Sequence, residues 1–240
     1  MRYLIMHRTN PHYESGGLPD SDLIANVGSM VGEMVKRGVL QGAEGLRSSA
    51  EGVRLSYSDG EQSVTPGPFP GSNELPAVFS IVRTGSIAEA IDFAAGQAQV
   101  LESAEVDIRP VTEPWDIGMA ERPPSVTTHR YMVLHKATPA TEAGAAPTAS
   151  QRARLTKLID DATRTGVHLV TETLRPSGRG RRLTNTRNGV VMVDGPFAET
   201  KELVGGYVIV SADSLDEATG WAERYIGAVD TGEVDVRELE

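Results

Sequence analysis

Two histidines, His7 and His135, each stand near the end of a short aliphatic run, RYLIMHR from Arg2 to Arg8 and RYMVLHK from Arg130 to Lys136. An imidazole titrates near neutrality, so a histidine at a strand end suits general acid/base work. It equally suits one structural hydrogen bond, and both readings stay open. The carboxylate to set beside His135 is Asp194, in the turn Asp194-Gly195-Pro196-Phe197. Asp can accept from nearby backbone N–H groups, Gly permits positive φ, Pro fixes its own φ, and Phe can anchor the turn in a core. An earlier Pro66-Gly67-Pro68-Phe69 keeps that turn without the carboxylate. His135 and Asp194 are thus the candidate catalytic pair. Glu44 and Glu172 each precede a Leu-Arg pair, and Arg54 and Arg182 lie further on. With His7 they form a candidate ligand-binding set, since charges near strand ends can clamp an anion; solvated ion pairs are the alternative.

Much other chemistry has no residues to carry it. The chain has no Cys, which removes disulfides, thiolate nucleophiles and Cys-ligated metals. The five His are not grouped at metal-ligand spacing, and no phosphate-cradling Gly-rich loop or serine-nucleophile motif is present. No metal and no cofactor is expected. A formal net charge of −10 argues against a nucleic-acid-binding surface. The one basic run, Gly178 to Arg182, reads as a solvated hairpin, with a phosphate or carboxylate contact as the alternative. No apolar run is long enough to span a bilayer, and the N-terminus opens into a strand without a signal-peptide pattern, so the expected location is cytoplasmic.

The elements that must position these residues occur twice. Arg2 aligns with Arg130, Pro66 with Asp194, and Ala104 with Gly232, a shift of 128 each time. Such a constant offset reads as two copies of one domain, at 1–111 and 129–240, joined by a linker at 112–128 that contains Pro114, Pro123 and Pro124. Each copy predicts a strand, a loop, a helix, a strand, a hairpin, a strand, a helix and a last strand. Leu23, Val27, Met30, Val31 and Met34 recur at helical spacing, as do Leu155, Leu158, Ile159 and Ala162. Asp59-Gly60 and Asn188-Gly189 predict the hairpin turns, and Ser86 with Glu89 and Ser214 with Glu217 predict capping boxes. Two crossover helices on an antiparallel sheet give an α+β, ferredoxin-like unit. Two such units can bury their open sheet faces against each other as an internal pseudo-dimer, with further oligomerisation left open.

At Asp194-Gly195-Pro196-Phe197, with Arg130 to Lys136, Glu202-Leu203, Gly205-Gly206-Tyr207 and the Ser214 to Glu217 cap, the chain resembles the YCII-related family and its DGPF-domain branch. The first copy matches through Arg2 to Arg8, Gly67-Pro68-Phe69 and Ser86 to Glu89. The resemblance implies a dimeric α/β-barrel fold of the muconolactone-isomerase type and a bacterial source. In some members a His–Asp pair is the proposed active site, its His near the start of the first helix. The matching stretches, Leu23 to Met34 and Gln151 to Ala162, contain no His, so that pair does not carry over. The expected function is small-molecule binding in a cleft, chiefly in the second copy, with general acid/base chemistry on a small cyclic or carbonyl compound. The alternative is an interaction module associated with a sigma factor, because DGPF proteins are often encoded beside such factors.

Overall fold

The computed structural model describes residues 1–58, 60–71, 74–197, 202–229 and 231–240. Up to residue 111 the elements are β1 (Arg2–Arg8), α1 (Pro11–Glu14), α2 (Ser21–Lys36), β2 (Leu40–Gly45), β3 (Val53–Ser58), β4 (Glu61–Pro66), β5 (Pro76–Thr84), α3 (Ile87–Leu101) and β6 (Glu105–Pro110). After the linker come β7 (His129–Lys136), α4 (Pro139–Glu142), α5 (Ala149–Arg164), β8 (His168–Thr173), β9 (Arg181–Thr186), β10 (Gly189–Asp194), β11 (Val204–Ser211), α6 (Leu215–Ala228) and β12 (Glu233–Glu238). Among the described residues no helix is long and apolar enough to cross a membrane.

Among the described residues twelve strands form two six-stranded antiparallel sheets, and neither sheet is drawn from one half of the chain. The first runs β10-β9-β12-β1-β11-β2 and the second β4-β3-β6-β7-β5-β8. The boundaries 1–111 and 129–240 therefore mark the sequence repeat, while each sheet is assembled across them. Taking β1, β2, β11 and β12 as strands one to four, the first sheet holds the order four-one-three-two, with hairpin β9-β10 added beside strand four. The same order recurs in the second sheet with β7, β8, β5 and β6. This is consistent with two ferredoxin-like units.

Alternation along the strands sorts the core into layers. Tyr3 and Ile5 of β1 turn toward α2 and α6, where they pack with Met30, Met34, Trp221 and Ile226. Tyr131 and Val133 of β7 pack with Phe93, Ala94 and Ala98 of α3. Leu4, Met6, Met132 and Leu134 point the other way, into a layer shared with Phe79, Ile81, Tyr207 and Ile209. This middle cluster draws on both sheets, so they bury their inner faces on each other. Fully burying each such aliphatic side chain stabilises by about 1.5–3 kcal/mol.

Local chemistry sets the helix starts. Asp20 caps α2 by accepting from Leu23 N–H at 2.8 Å. Ser86 and Ser214 accept from the N–H groups of Glu89 and Glu217 at 3.4 and 3.2 Å. Glu89 and Glu217 reach one residue further back than a capping box requires, to the N–H groups of Gly85 and Asp213 at 3.0 and 2.8 Å. The loops after β1 and β7 each contain a four-residue helix, α1 capped by Asn10 and α4 capped by Thr138. The second hairpin pairs Thr186 with Gly189, so its loop residues are Arg187 and Asn188 rather than Asn188 and Gly189. Thr186 Oγ1 closes that turn by donating to the Gly189 carbonyl at 2.6 Å. In the first hairpin Gly60 has φ +82°, and Asp59 lies outside the described residues.

Candidate functional site

A cavity of about 540 Å³ lies along β2, the edge strand of the first sheet. Helix α2 forms one wall through Leu23, Ile24, Val27 and Val31, and linker residues 112–119 help close the other side. Leu18 and Met119, 64% and 62% exposed, stand in its lining. Asp116 fixes the linker wall by accepting from Arg47 at 3.3 Å and from Glu113 N–H at 2.9 Å.

His7 reaches this cavity because of the glycines beside it. A Cβ at Gly205 would come within 3.0 Å of His7 Nε2, and one at Gly206 within 2.7 Å of its Cε1. His7 Nδ1 lies 2.9 Å from the hydroxyl of Tyr225, which is buried and has no other hydrogen-bond partner among the described residues. If Nδ1 carried the proton, the phenol hydrogen would be left without an acceptor in a buried site. The phenol therefore donates to Nδ1, and Nε2 bears the hydrogen. Nε2 has no partner among the described residues and is not sealed from the cavity that His7 lines. Burial, with Arg8 and Arg109 adding to it, holds the His7 imidazolium down to about 4. At neutral pH the ring is an uncharged donor, aimed into an apolar space.

The residue 128 positions on is arranged differently. His135 is 1% exposed, with Nδ1 2.8 Å from Ser103 Oγ and Nε2 3.0 Å from Gln97 Oε1. An amide oxygen only accepts, so here too Nε2 carries the hydrogen, but Gln97 already takes it. Burial holds this imidazolium down to about 3. Above the site α5 sits close on α3: a Cβ at Gly96 would meet Leu158 Cδ1 at 3.2 Å.

The other expected residues fall in three places. Asp194 is not beside His135. It lies on edge strand β10 of the opposite sheet, 76% exposed at its side chain and paired with Arg181 at 2.8 Å. The glycine of its turn serves packing: a Cβ at Gly195 would sit 1.8 Å from Ser177 O, and one at Gly67 equally close to Ser49 O. Phe197 and Phe69 then stack over Arg182 and Arg54 at 4.6 and 4.7 Å. Those arginines lie outside the cavity lining. Arg54 forks onto Asp107 at 2.6 and 2.9 Å, and Arg182 onto Asp235 at 2.6 and 2.9 Å. Lys136 Nζ lies 3.0 Å from Asp107 and also contacts Glu74, while Arg8 contacts Asp235. Glu44 and Glu172 tie the sheets together, Glu44 to Arg130 and Glu172 to Arg2 at 2.6 and 2.8 Å. Glu44 alone of the two lines the cavity, and burial raises its carboxyl against the pull of Arg130. Thus the cavity lies with His7, and the expected second-copy set of His135, Asp194, Arg182 and Glu172 is dispersed.

Tyr225 and Gln97 escaped sequence reasoning, although the 128-residue offset places them opposite each other. Gln97 lies on a helix that precedes β7 and Tyr225 on the last helix of the chain, so only the exchange of strands between the halves brings each to its histidine. Lys136 at the position of Arg8 was visible as well, but nothing local shows that both reach buried carboxylates.

The class defined by this architecture is an α+β protein of two facing antiparallel sheets with helices outside them. Within that class, residues 129–239 match the YCII-related domain family. The matched stretch supplies β7 and β8 to one sheet and β9 to β12 to the other. An uncharacterised protein of Rhizobium meliloti (strain 1021) is 37% identical over 67 residues, which is 28% of this chain and 54% of that protein. The chain thus spans about half the length of the curated relative it matches. No solved structure matches.

Proposed function

We propose that the chain is a small-molecule-binding protein whose ligand occupies the cavity beneath α2 and meets His7 Nε2–H. The observation that carries this reading is the open donor: His7 reaches a cavity with an unpaired N–H, whereas His135 spends its own on Gln97. The volume of about 540 Å³ falls within the range of small-molecule sites, roughly 300–1,000 Å³. The constant offset further supports a tandem duplication of a DGPF-type domain, folded as an internal pseudo-dimer in which one of two equivalent sites stays open.

The test is a thermal-shift screen of small metabolites, charged and uncharged, against the native chain and Gly28→Trp. Gly28 lies in the cavity lining, and a Cβ there meets nothing within 4 Å, so the indole fills space without displacing core. Ligands at a hundredfold excess over Kd should stabilise the native chain by about 2.7 kcal/mol and leave the variant unmoved. Stabilisation that persists in Gly28→Trp, or none in either protein, removes the reading.

A further inference from the structure

We infer that the ligand is an uncharged, largely apolar molecule carrying an acceptor oxygen, a ketone or amide carbonyl foremost, which inserts oxygen-first against His7. The inference rests on the binding reading above and adds the ligand's chemical class. Three observations carry it.

The charges around the cavity are already matched. Its cations are Arg8, Arg47 and Arg130, and its anions are Glu44, Glu51 and Asp116. Arg8 pairs with Asp235, Arg47 with Glu51 and Asp116, and Arg130 with Glu44 and Glu113. A charged ligand would give up hydration without gaining a counter-ion, which costs free energy. The wall supplied by α2 is aliphatic and takes hydrocarbon.

The twin site shows what His7 lacks. At His135 the same ring nitrogen is met by the Gln97 amide oxygen at 3.0 Å. That oxygen belongs to the chain and sits on α3. At the corresponding position α6 carries Tyr225, whose hydroxyl goes to the other ring nitrogen. His7 Nε2–H is therefore left for an oxygen that the protein does not provide. A carbonyl reproduces the geometry already built at His135, and a hydrocarbon leaves the donor unsatisfied.

Calorimetric titration of the full chain with four probes of one skeleton tests this: 2-acetylnaphthalene, 2-ethylnaphthalene, 2-naphthoate and 2-naphthylmethylammonium. The ketone should bind about tenfold tighter than the hydrocarbon, the size of one net hydrogen bond. Both ions should bind more weakly than the ketone. In His7→Phe the advantage of the ketone should vanish while the hydrocarbon keeps its affinity. Nitrogen-15 spectra of the free chain should place the His7 proton on Nε2. Tightest binding by either ion, or a proton on Nδ1, overturns the ligand class; if Gly28→Trp still blocks those probes, the cavity reading survives. If no probe binds the native chain, the apolar class fails, and the cavity reading stands or falls on the thermal-shift screen.

Discussion

The surroundings of His7 and His135 are one framework furnished in two ways. Both rings end a central strand, both face the helix layer, and both carry their hydrogen on Nε2 by the logic of their partners. The differences lie at neighbouring positions. Gln97 faces His135 where Tyr225 faces His7, and Ser103 bonds His135 whereas Thr231 bonds the carbonyl of Arg8. Gly96 admits Leu158 beneath α5, while Arg224, its counterpart on α6, reaches outward to Glu33 of α2. A side chain with a built-in acceptor and a helix lowered onto it make a sealed polar pocket. A phenol that uses the inner nitrogen, beside a helix that the Arg224–Glu33 pair ties at its outer edge, leaves an open one. A shared backbone thus fixes where a histidine points, and its second ring of neighbours decides whether it is available.

The same contrast extends to the buried charges between the sheets, where the largest effect is expected. Asp235 holds Arg8 and Arg182; burial works against its charge, and the two arginines outweigh that and keep the carboxyl below its usual range. Asp107 holds Arg54 and Lys136, but Glu74, 1% exposed, is bonded to the same two cations. Burial prevails there and pushes Asp107 up. Asp235→Ala should therefore leave Arg8 and Arg182 with only the partly exposed Glu233, at 3.5 and 3.2 Å, in place of a buried partner, and cost about 3–5 kcal/mol. Asp107→Ala should cost distinctly less, since Glu74 remains. Urea unfolding midpoints of the two variants measure the difference. Equal losses would show that Glu74 does not compensate.

Next in size is the seal on His135. Gln97→Ala removes the acceptor and leaves a buried N–H unsatisfied, at a cost of about 1–3 kcal/mol. The equivalent change at His7, His7→Phe, should cost less than Gln97→Ala, because the phenyl ring fills the same space and takes away the unpaired Nε2–H and the desolvated imidazole along with the one bond to Tyr225. The same urea titrations decide the order. If His7→Phe proves the more damaging, His7 is a packing residue and the open site loses its defining feature.

The sequence made one part of this contrast legible and hid the other. Period two puts His7 on one face with Tyr3 and Ile5, and His135 with Tyr131 and Val133, because it is a local property of the strand; only the structure turns those faces to the helices. The long helices were likewise written in the spacing of Leu23 to Met34 and Leu155 to Ala162. The exchange of strands between halves had no local signal, since β1 pairs equally well by pattern with β6 or with β12. Asp194 looked chemical because its turn is conspicuous, yet the turn is built by the fit of Gly195 against Ser177 and of Phe197 over Arg182. The short helices α1 and α4 span four residues each, too few for a periodicity to show. The cavity is lined by segments far apart in the chain, α2, β2, the linker and Gly205, which no local pattern brings together.

A further effect follows from protonation. Burial lowers both imidazoles, His7 to about 4 and His135 to about 3, against an ordinary 6.5. The unfolded chain therefore takes up protons below pH 6.5 that the folded chain refuses. The stability tied to the neutral rings is complete above pH 6.5 and drains away as the pH falls toward those folded values. The loss approaches about 1.4 kcal/mol per pH unit for each histidine. His7→Phe removes one of the two terms and leaves the carboxylates common to both proteins in place. The stability of the native chain minus that of the variant should hold level from pH 8 to pH 7 and then shrink steadily from pH 6 to pH 4.5. Urea midpoints at half-unit intervals give that difference. Parallel curves across the acid range would mean that the His7 ring takes up a proton without penalty in the folded chain. The cavity floor would then be polar enough to hold an imidazolium, and the contrast with His135 would rest on the sealed side alone.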